Sequence, residues 1–101
     1  MRIILCGAPF ELVLARTSDP PAIGESSDTN RTITIDPSYP LEVRNETLCH
    51  EIVHMMLAMT GLCHNLTEQQ EEAVAQGIGL ALAHLVKHNP DLIAILTKEK
   101  T

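Results

Sequence analysis

His50-Glu51-Ile52-Val53-His54 is the stretch on which the reading of this chain turns. On an α-helix, two histidines four residues apart lie one turn above the other, so both imidazoles reach a common point on one side. That geometry suits a single metal ion. The glutamate directly after the first histidine points toward the same open side, where it can take a proton from water instead of binding the metal. The motif therefore demands a helix here, and the flanking residues must supply the rest of the site.

The spacing predicts a helix that begins between Leu41 and Asn45, after Pro37 and Pro40 have ended the preceding strand, and stops at Gly61. Leu48, Ile52, Met55 or Met56, and Met59 form its core stripe, while His50, His54 and Leu57 lie on another face. Upstream, Arg31-Thr32-Ile33-Thr34-Ile35-Asp36 alternates polar and apolar β-branched residues, which reads as a strand with Ile33 and Ile35 toward the core. Ile3 to Leu5 and Leu12 to Ala15, separated by Gly7, Ala8 and Pro9, read as two strands joined by a turn, with a short first helix as the competing assignment. Thr17 to Asn30 collects Ser, Asp, Pro, Gly and Thr without periodicity and is expected to be a surface loop.

Downstream, Thr67 with Gln70 three residues later is a capping-box signature, so a second helix is expected from about Glu68. Val74, Ile78, Leu82 and Leu85 give it an apolar stripe. Asn89-Pro90 ends it and can start a short helix to Thr97, with Asn89 as N-cap, before a charged tail. The expected fold class is α+β: a small twisted sheet of two to three strands packed on an active-site helix, a glutamate helix and a short C-terminal helix. At 101 residues, positions 1–101 are expected to form a single domain.

A hydrolytic zinc site takes three protein ligands, and the histidine pair supplies two. The candidates for the third are Glu71 and Glu72, because a helix returning antiparallel brings its first turns back beside the first helix. Glu72 is favoured, since Glu71 sits nearer the core-facing Val74 and Ile78. Gly77 and Gly79 are expected to let the two backbones approach closely. Zn2+ held by His50, His54 and Glu72, with Glu51 as general base and acid, suits hydrolysis of a peptide bond. An extended peptide substrate is expected to pair with the edge of the Arg31 to Asp36 strand.

Composition narrows the partners. The net charge of -6 and the scattered basic residues argue against nucleic acid or an anionic membrane. With one Tyr, one Phe and no Trp, aliphatic residues and methionine must fill the core. Cys6, Cys49 and Cys63 have no paired spacing, which suits a reducing, cytoplasmic setting, and no run approaches transmembrane length. The N-terminal apolar run, interrupted by Glu11, is short for a signal peptide, and the sequons at Asn30, Asn45 and Asn65 read as coincidence. His64, His84 and His88 are expected at helix ends or in solvent, although one of them, or Tyr39, is a candidate to stabilise an oxyanion. An acidic surface is compatible with a monomer or a small homo-oligomer.

Thr47-Leu48-Cys49-His50-Glu51-Ile52-Val53-His54, with the strand Thr32-Ile33-Thr34-Ile35 before it and Glu71-Glu72-Ala73-Val74 after it, resembles the minimal gluzincins, compact zinc metallopeptidases of the HExxH type carried by phages and prophages. The likeness spans about Arg31 to Leu96 and includes the ending Leu82 to Pro90. It implies a zincin-like fold, His50, His54 and Glu72 as ligands with Glu71 the alternative, Glu51 as base and acid, and a peptide or protein substrate. Where larger members carry an acidic residue that orients a histidine, this chain has Gln76, and no downstream His or Tyr matches the usual oxyanion group. The other function class compatible with the motif is a non-catalytic or latent zinc-binding regulatory module.

Overall fold

The computed structural model describes residues 1–17 and 21–98. Positions 18–20 of the predicted loop, and the charged tail from 99 onward, lie outside the described residues. The elements run β1 (Arg2–Leu5), β2 (Ala8–Leu14), β3 (Gly24–Ser27), β4 (Thr32–Ile35), α1 (Leu41–Thr60), a single 3-10 turn (Leu62–Asn65), α2 (Glu68–His88) and α3 (Leu92–Thr97). The four strands form one mixed sheet in the order β1-β2-β4-β3, with β2 and β4 parallel and both outer pairs antiparallel. The fold class is α+β.

Two of the strand readings change. The first turn is the dipeptide Cys6-Gly7, with φ of 50° and 80°, so Ala8 and Pro9 belong to β2, paired with Leu5 and Ile4. A two-residue turn with both φ values positive matches the twist of a hairpin, which is why the strands resume so soon after it. The predicted loop from Thr17 to Asn30 contains β3, giving four strands where two to three were expected. Gly24-Glu25-Ser26-Ser27 lacks the apolar alternation that marks strands; its place comes from β4, whose free edge it covers.

Covering that edge overturns the expected substrate strand. The strand expected over Arg31 to Asp36 is β4, Thr32–Ile35, flanked by β2 on one side and β3 on the other, so it offers no free edge. β3 is the outer strand on that side of the sheet, and it packs against α1.

Alternation places Phe10, Ile33 and Ile35 on one face of the sheet, all at or below 2% exposure, where Leu48, Ile52, Met55 and Met59 of α1 meet them. Met55 is the core methionine of the ambiguous pair, while Met56 is 40% exposed. The Arg31 guanidinium lies 5.5 Å above the Phe10 ring and closes that core at the edge. At the far end of β4, the Ser38 backbone N–H and hydroxyl donate to Asp36 Oδ1 at 2.9 and 2.7 Å, and these bonds, helped by Arg16, hold the Asp36 carboxyl below its ordinary value of 3.8. A lowered folded-state pKa adds stability that is complete above the unfolded value and is lost as pH falls through the folded one. The difference in urea midpoint between wild type and Asp36→Ala is thus expected to stay constant from about pH 7 to 5 and to shrink below about pH 4.

The second helix packs on the opposite side of α1, not on the sheet, which produces three layers: sheet, α1, α2. Thr67 and Gln70 form the predicted capping box, at 3.1 and 2.9 Å, and Gly61 ends α1 in the left-handed conformation at φ 78°. The contact face of α2 differs from the predicted stripe. Ala75, Gly79 and Ala83 are buried against α1, flanked by Val74 and Leu82, whereas Ile78 and Leu85 are 51% and 44% exposed. A Cβ on Gly79 would lie 2.8 Å from the His50 Cα and 2.9 Å from its nitrogen, so only glycine fits there. Gly77, expected to share that role, faces open space. Asn89 caps the end of α2 instead of starting α3, its side-chain amide donating to the Leu85 carbonyl at 2.9 Å. No helix among the described residues is long and apolar enough to cross a membrane.

Candidate metal centre

The middle of α1 is covered by the sheet on one side and α2 on the other, so its polar residues emerge along the remaining open side. His50 and His54 stack there with ring centroids 4.8 Å apart and their Nε2 atoms 3.1 Å apart. From the first turns of α2, Glu72 reaches both: Oε1 lies 2.8 Å from His50 Nε2 and Oε2 lies 3.0 Å from His54 Nε2. Both rings are largely buried, at 18% and 16% exposure, while Glu72 is open to solvent.

Glu71 does something different. Its Oε2 lies 2.8 Å from Nδ1 of His54, on the far side of the ring from Glu72. A carboxylate only accepts, so a hydrogen on Nδ1 satisfies this contact and leaves Nε2 as the ring atom able to offer a lone pair to a metal. Two adjacent glutamates are thus split, one facing the convergence point and the other fixing a tautomer. The ring that is held is His54, and the acid that holds it directly precedes Glu72, one turn before the position of Gln76. Gln76 itself lines a cavity with His50 and Glu51.

The donor set fits zinc. Tetrahedral zinc with bonds of about 2.0–2.1 Å keeps its donors roughly 3.3–3.4 Å apart, close to the separations of 2.8 to 3.1 Å among the two Nε2 atoms and the Glu72 oxygens. His50, His54 and Glu72 each offer one ligand atom within 4.8 Å of the others, so a single cation can be shared among them. No family model, curated protein or solved structure matches this chain.

Glu51 stands beside this triad without joining it. Its Oε1 accepts a hydrogen bond of 2.6 Å from Ser26 Oγ on β3. Two cavities of about 370 and 420 Å3 meet at Glu51, one running past Gly24, Thr47, His50 and Gln76, the other past Ser26, His54, Cys63 and Glu71. Gly24 lets β3 lie this close to α1, because a Cβ there would come within 2.7 Å of the Thr47 methyl and 2.8 Å of Ile35. Ser26 was hidden in the sequence inside the long polar segment. The turn-rich Asp28-Thr29-Asn30 just before β4 was the one sign of a hairpin that could have revealed it.

The other ionisable candidates stay apart from the centre. Tyr39, His64, His84 and His88 line neither cavity. His84 instead joins Glu42 and Glu46 in a second acidic group at the start of α1, where Lys87 Nζ already sits 3.0 Å from Glu42 and holds that carboxyl below its ordinary value. With an ammonium in place and all members near solvent, this group reads as a clasp between helix ends. Cys49 is half-buried, and desolvation pushes its thiol above the ordinary value, which keeps it protonated and unreactive near neutral pH.

Proposed function

We propose that this chain is a zinc-dependent metallopeptidase of the minimal gluzincin type, with a zincin-like arrangement of sheet and helices. The observation that carries the proposal is the convergence of His50, His54 and Glu72 on one point while Glu51 stands free of it with one oxygen held by Ser26. Zinc in such a set supplies Lewis acidity toward water and toward a substrate carbonyl.

The remaining chemistry belongs to the protein. Glu51 takes the proton of the attacking water and returns it to the leaving amine, so the tetrahedral adduct collapses to free acid and amine. Ser26 fixes one oxygen of Glu51 and leaves the other to handle the proton. Glu71 keeps His54 in the tautomer that exposes Nε2. An extended peptide adds to the outer edge of β3, which passes between the two cavities, and its side chains enter them alternately.

Metal titration tests the ligand assignment. Wild type is expected to bind one zinc per chain, and His50→Ala or His54→Ala to abolish tight binding. Glu72→Ala is expected to weaken binding more than Glu71→Gln, for which a loss of about 10–100-fold is expected because an orienting partner is removed and not a ligand. A wild type that takes up no added zinc sinks the proposal, and the opposite order of the two glutamates sinks this assignment of their roles.

A further inference from the structure

Hydrolysis with Glu51 as base builds a negative charge that Glu51 itself cannot meet. As water adds to the substrate carbonyl carbon, its proton passes to Glu51, a C–O bond forms and the carbonyl π electrons move onto oxygen. A donor aimed at that oxygen is the other half of the chemistry. No Lys, Arg or Tyr lines either of the cavities that meet at Glu51, and the side chains there with N–H or O–H groups are Ser26, Thr47, His50, His54 and Gln76. Four of them are committed. Ser26 Oγ donates to Glu51 at 2.6 Å and Thr47 Oγ1 to the Val43 carbonyl at 2.8 Å, while His50 and His54 turn Nε2 toward Glu72. The Gln76 amide has no hydrogen-bond partner among the described residues and keeps both its hydrogens to offer.

We infer that Gln76 is a catalytic residue of this cleft, its side-chain amide donating to the substrate carbonyl oxygen as that oxygen gains charge. The inference rests on the metallopeptidase reading and deepens it. Gln76 lies four residues after Glu72 and three before Gly79, so the three share one face of α2. Both neighbours are fixed against His50: Glu72 Oε1 lies 2.8 Å from its Nε2, and a Cβ on Gly79 would lie 2.8 Å from its Cα. Between them Gln76 opens into the cavity of about 370 Å3 that it lines with His50 and Glu51. Glutamine matches glutamate in reach, and one turn of helix is a rise of about 5.4 Å, so its amide stands beside the Glu72 carboxylate and not in its place. Ile23, Val43 and Leu80 give the same cavity apolar walls, and a hydrogen bond to a developing charge strengthens where the local dielectric is low. The amide carries no charge, so it donates without titrating and without repelling a cation held by His50, His54 and Glu72. When the adduct collapses, the electron pair returns to the carbonyl, the C–N bond breaks, Glu51 protonates the leaving amine, and Gln76 is left unchanged.

The test uses the zinc-loaded full chain and two readouts besides turnover: zinc affinity, and affinity for N-phosphoryl-leucinamide, whose tetrahedral phosphoryl group carries anionic oxygens as the adduct does. Gln76→Leu is expected to bind this probe about 10–100-fold more weakly than wild type, the loss of one hydrogen bond to a charged group, with zinc affinity unchanged. Gln76→Glu keeps the length of the side chain and can accept but not donate, so it is expected to lose the probe as well. For a peptide that wild type cuts from a randomised library, both variants are expected to lower kcat by about 10^2-fold or more with KM nearly unchanged. A Gln76→Leu protein that loses zinc affinity, with Gln76→Glu restoring it, would make Gln76 an orienting partner of His50 and overturn the inference. Equal probe binding by the three proteins overturns it too, and if all three also cut peptides equally, the peptidase reading survives on its own. A zinc-loaded wild type that neither binds the probe nor cuts peptides overturns both.

Discussion

Glu51→Gln is expected to lower peptide hydrolysis by roughly 10^2–10^4-fold while zinc stoichiometry and affinity stay at the wild-type level. The amide is nearly isosteric and can still accept the hydrogen bond from Ser26 at the position where Oε1 lies 2.6 Å from Oγ, so the cleft keeps its shape. What it cannot do is take a proton. Because Glu51 is outside the convergence of His50, His54 and Glu72, the metal set loses nothing. Cleavage of a randomised peptide library by the zinc-loaded protein, read by mass spectrometry, measures the effect. Equal cleavage by wild type and variant would remove Glu51 from the mechanism. Zinc-loaded wild type that cuts no peptide at all would instead favour a regulatory module that keeps its metal without turnover.

The largest expected effect on stability comes from a residue with no side chain. Gly79→Val places its Cβ where His50 Cα lies 2.8 Å away, His50 nitrogen 2.9 Å and the Cys49 carbonyl carbon 3.2 Å. All three are backbone atoms of α1, which is itself pinned between α2 and the sheet, so no rotamer change relieves the clash. Overpacking of this kind costs about 1–3 kcal/mol or more, and valine's β-branch offsets part of the propensity gained over glycine. A loss of about 3 kcal/mol lowers the melting temperature of a domain this size by roughly 10–20 °C. The same substitution is expected to weaken zinc binding at least tenfold, because Gly79 presses on the very residue that carries one ligand while Glu72 comes from the same helix two turns earlier. Thermal melts of the metal-free protein and zinc titrations read the two effects separately. A variant with unchanged stability would show that the helices are not held at this spacing.

Much of this site is local and was readable in order along the chain. The His50 and His54 spacing follows from helical periodicity alone, as do the sheet-facing stripe of α1, its stop at Gly61 and the capping box that starts α2. Glu72 was preferred over Glu71 on helical phase, and the structure places Glu72 on both Nε2 atoms and Glu71 on Nδ1 of His54. Ser26 was not readable. Its strand has no hydrophobic pattern of its own and exists because β4 has an edge to cover, a pairing between segments that no local window contains.

Sequence by itself determined the period-bound features of this protein: which residues share a turn of helix, where α1 and α2 start and stop, and that Ile33 and Ile35 face the same side. Tertiary structure decided which apolar stripe is buried and what completes the site. On α2 the larger Ile78 and Leu85 look outward while Ala75, Gly79 and Ala83 meet α1, at a contact so close that a Cβ on Gly79 would lie 2.8 Å from the His50 Cα. Hydrophobicity ranks residues by what they gain from burial, but the distance between two helices is set by the smallest residues at their contact. That distance is what assembles His50, His54 and Glu72 around one point.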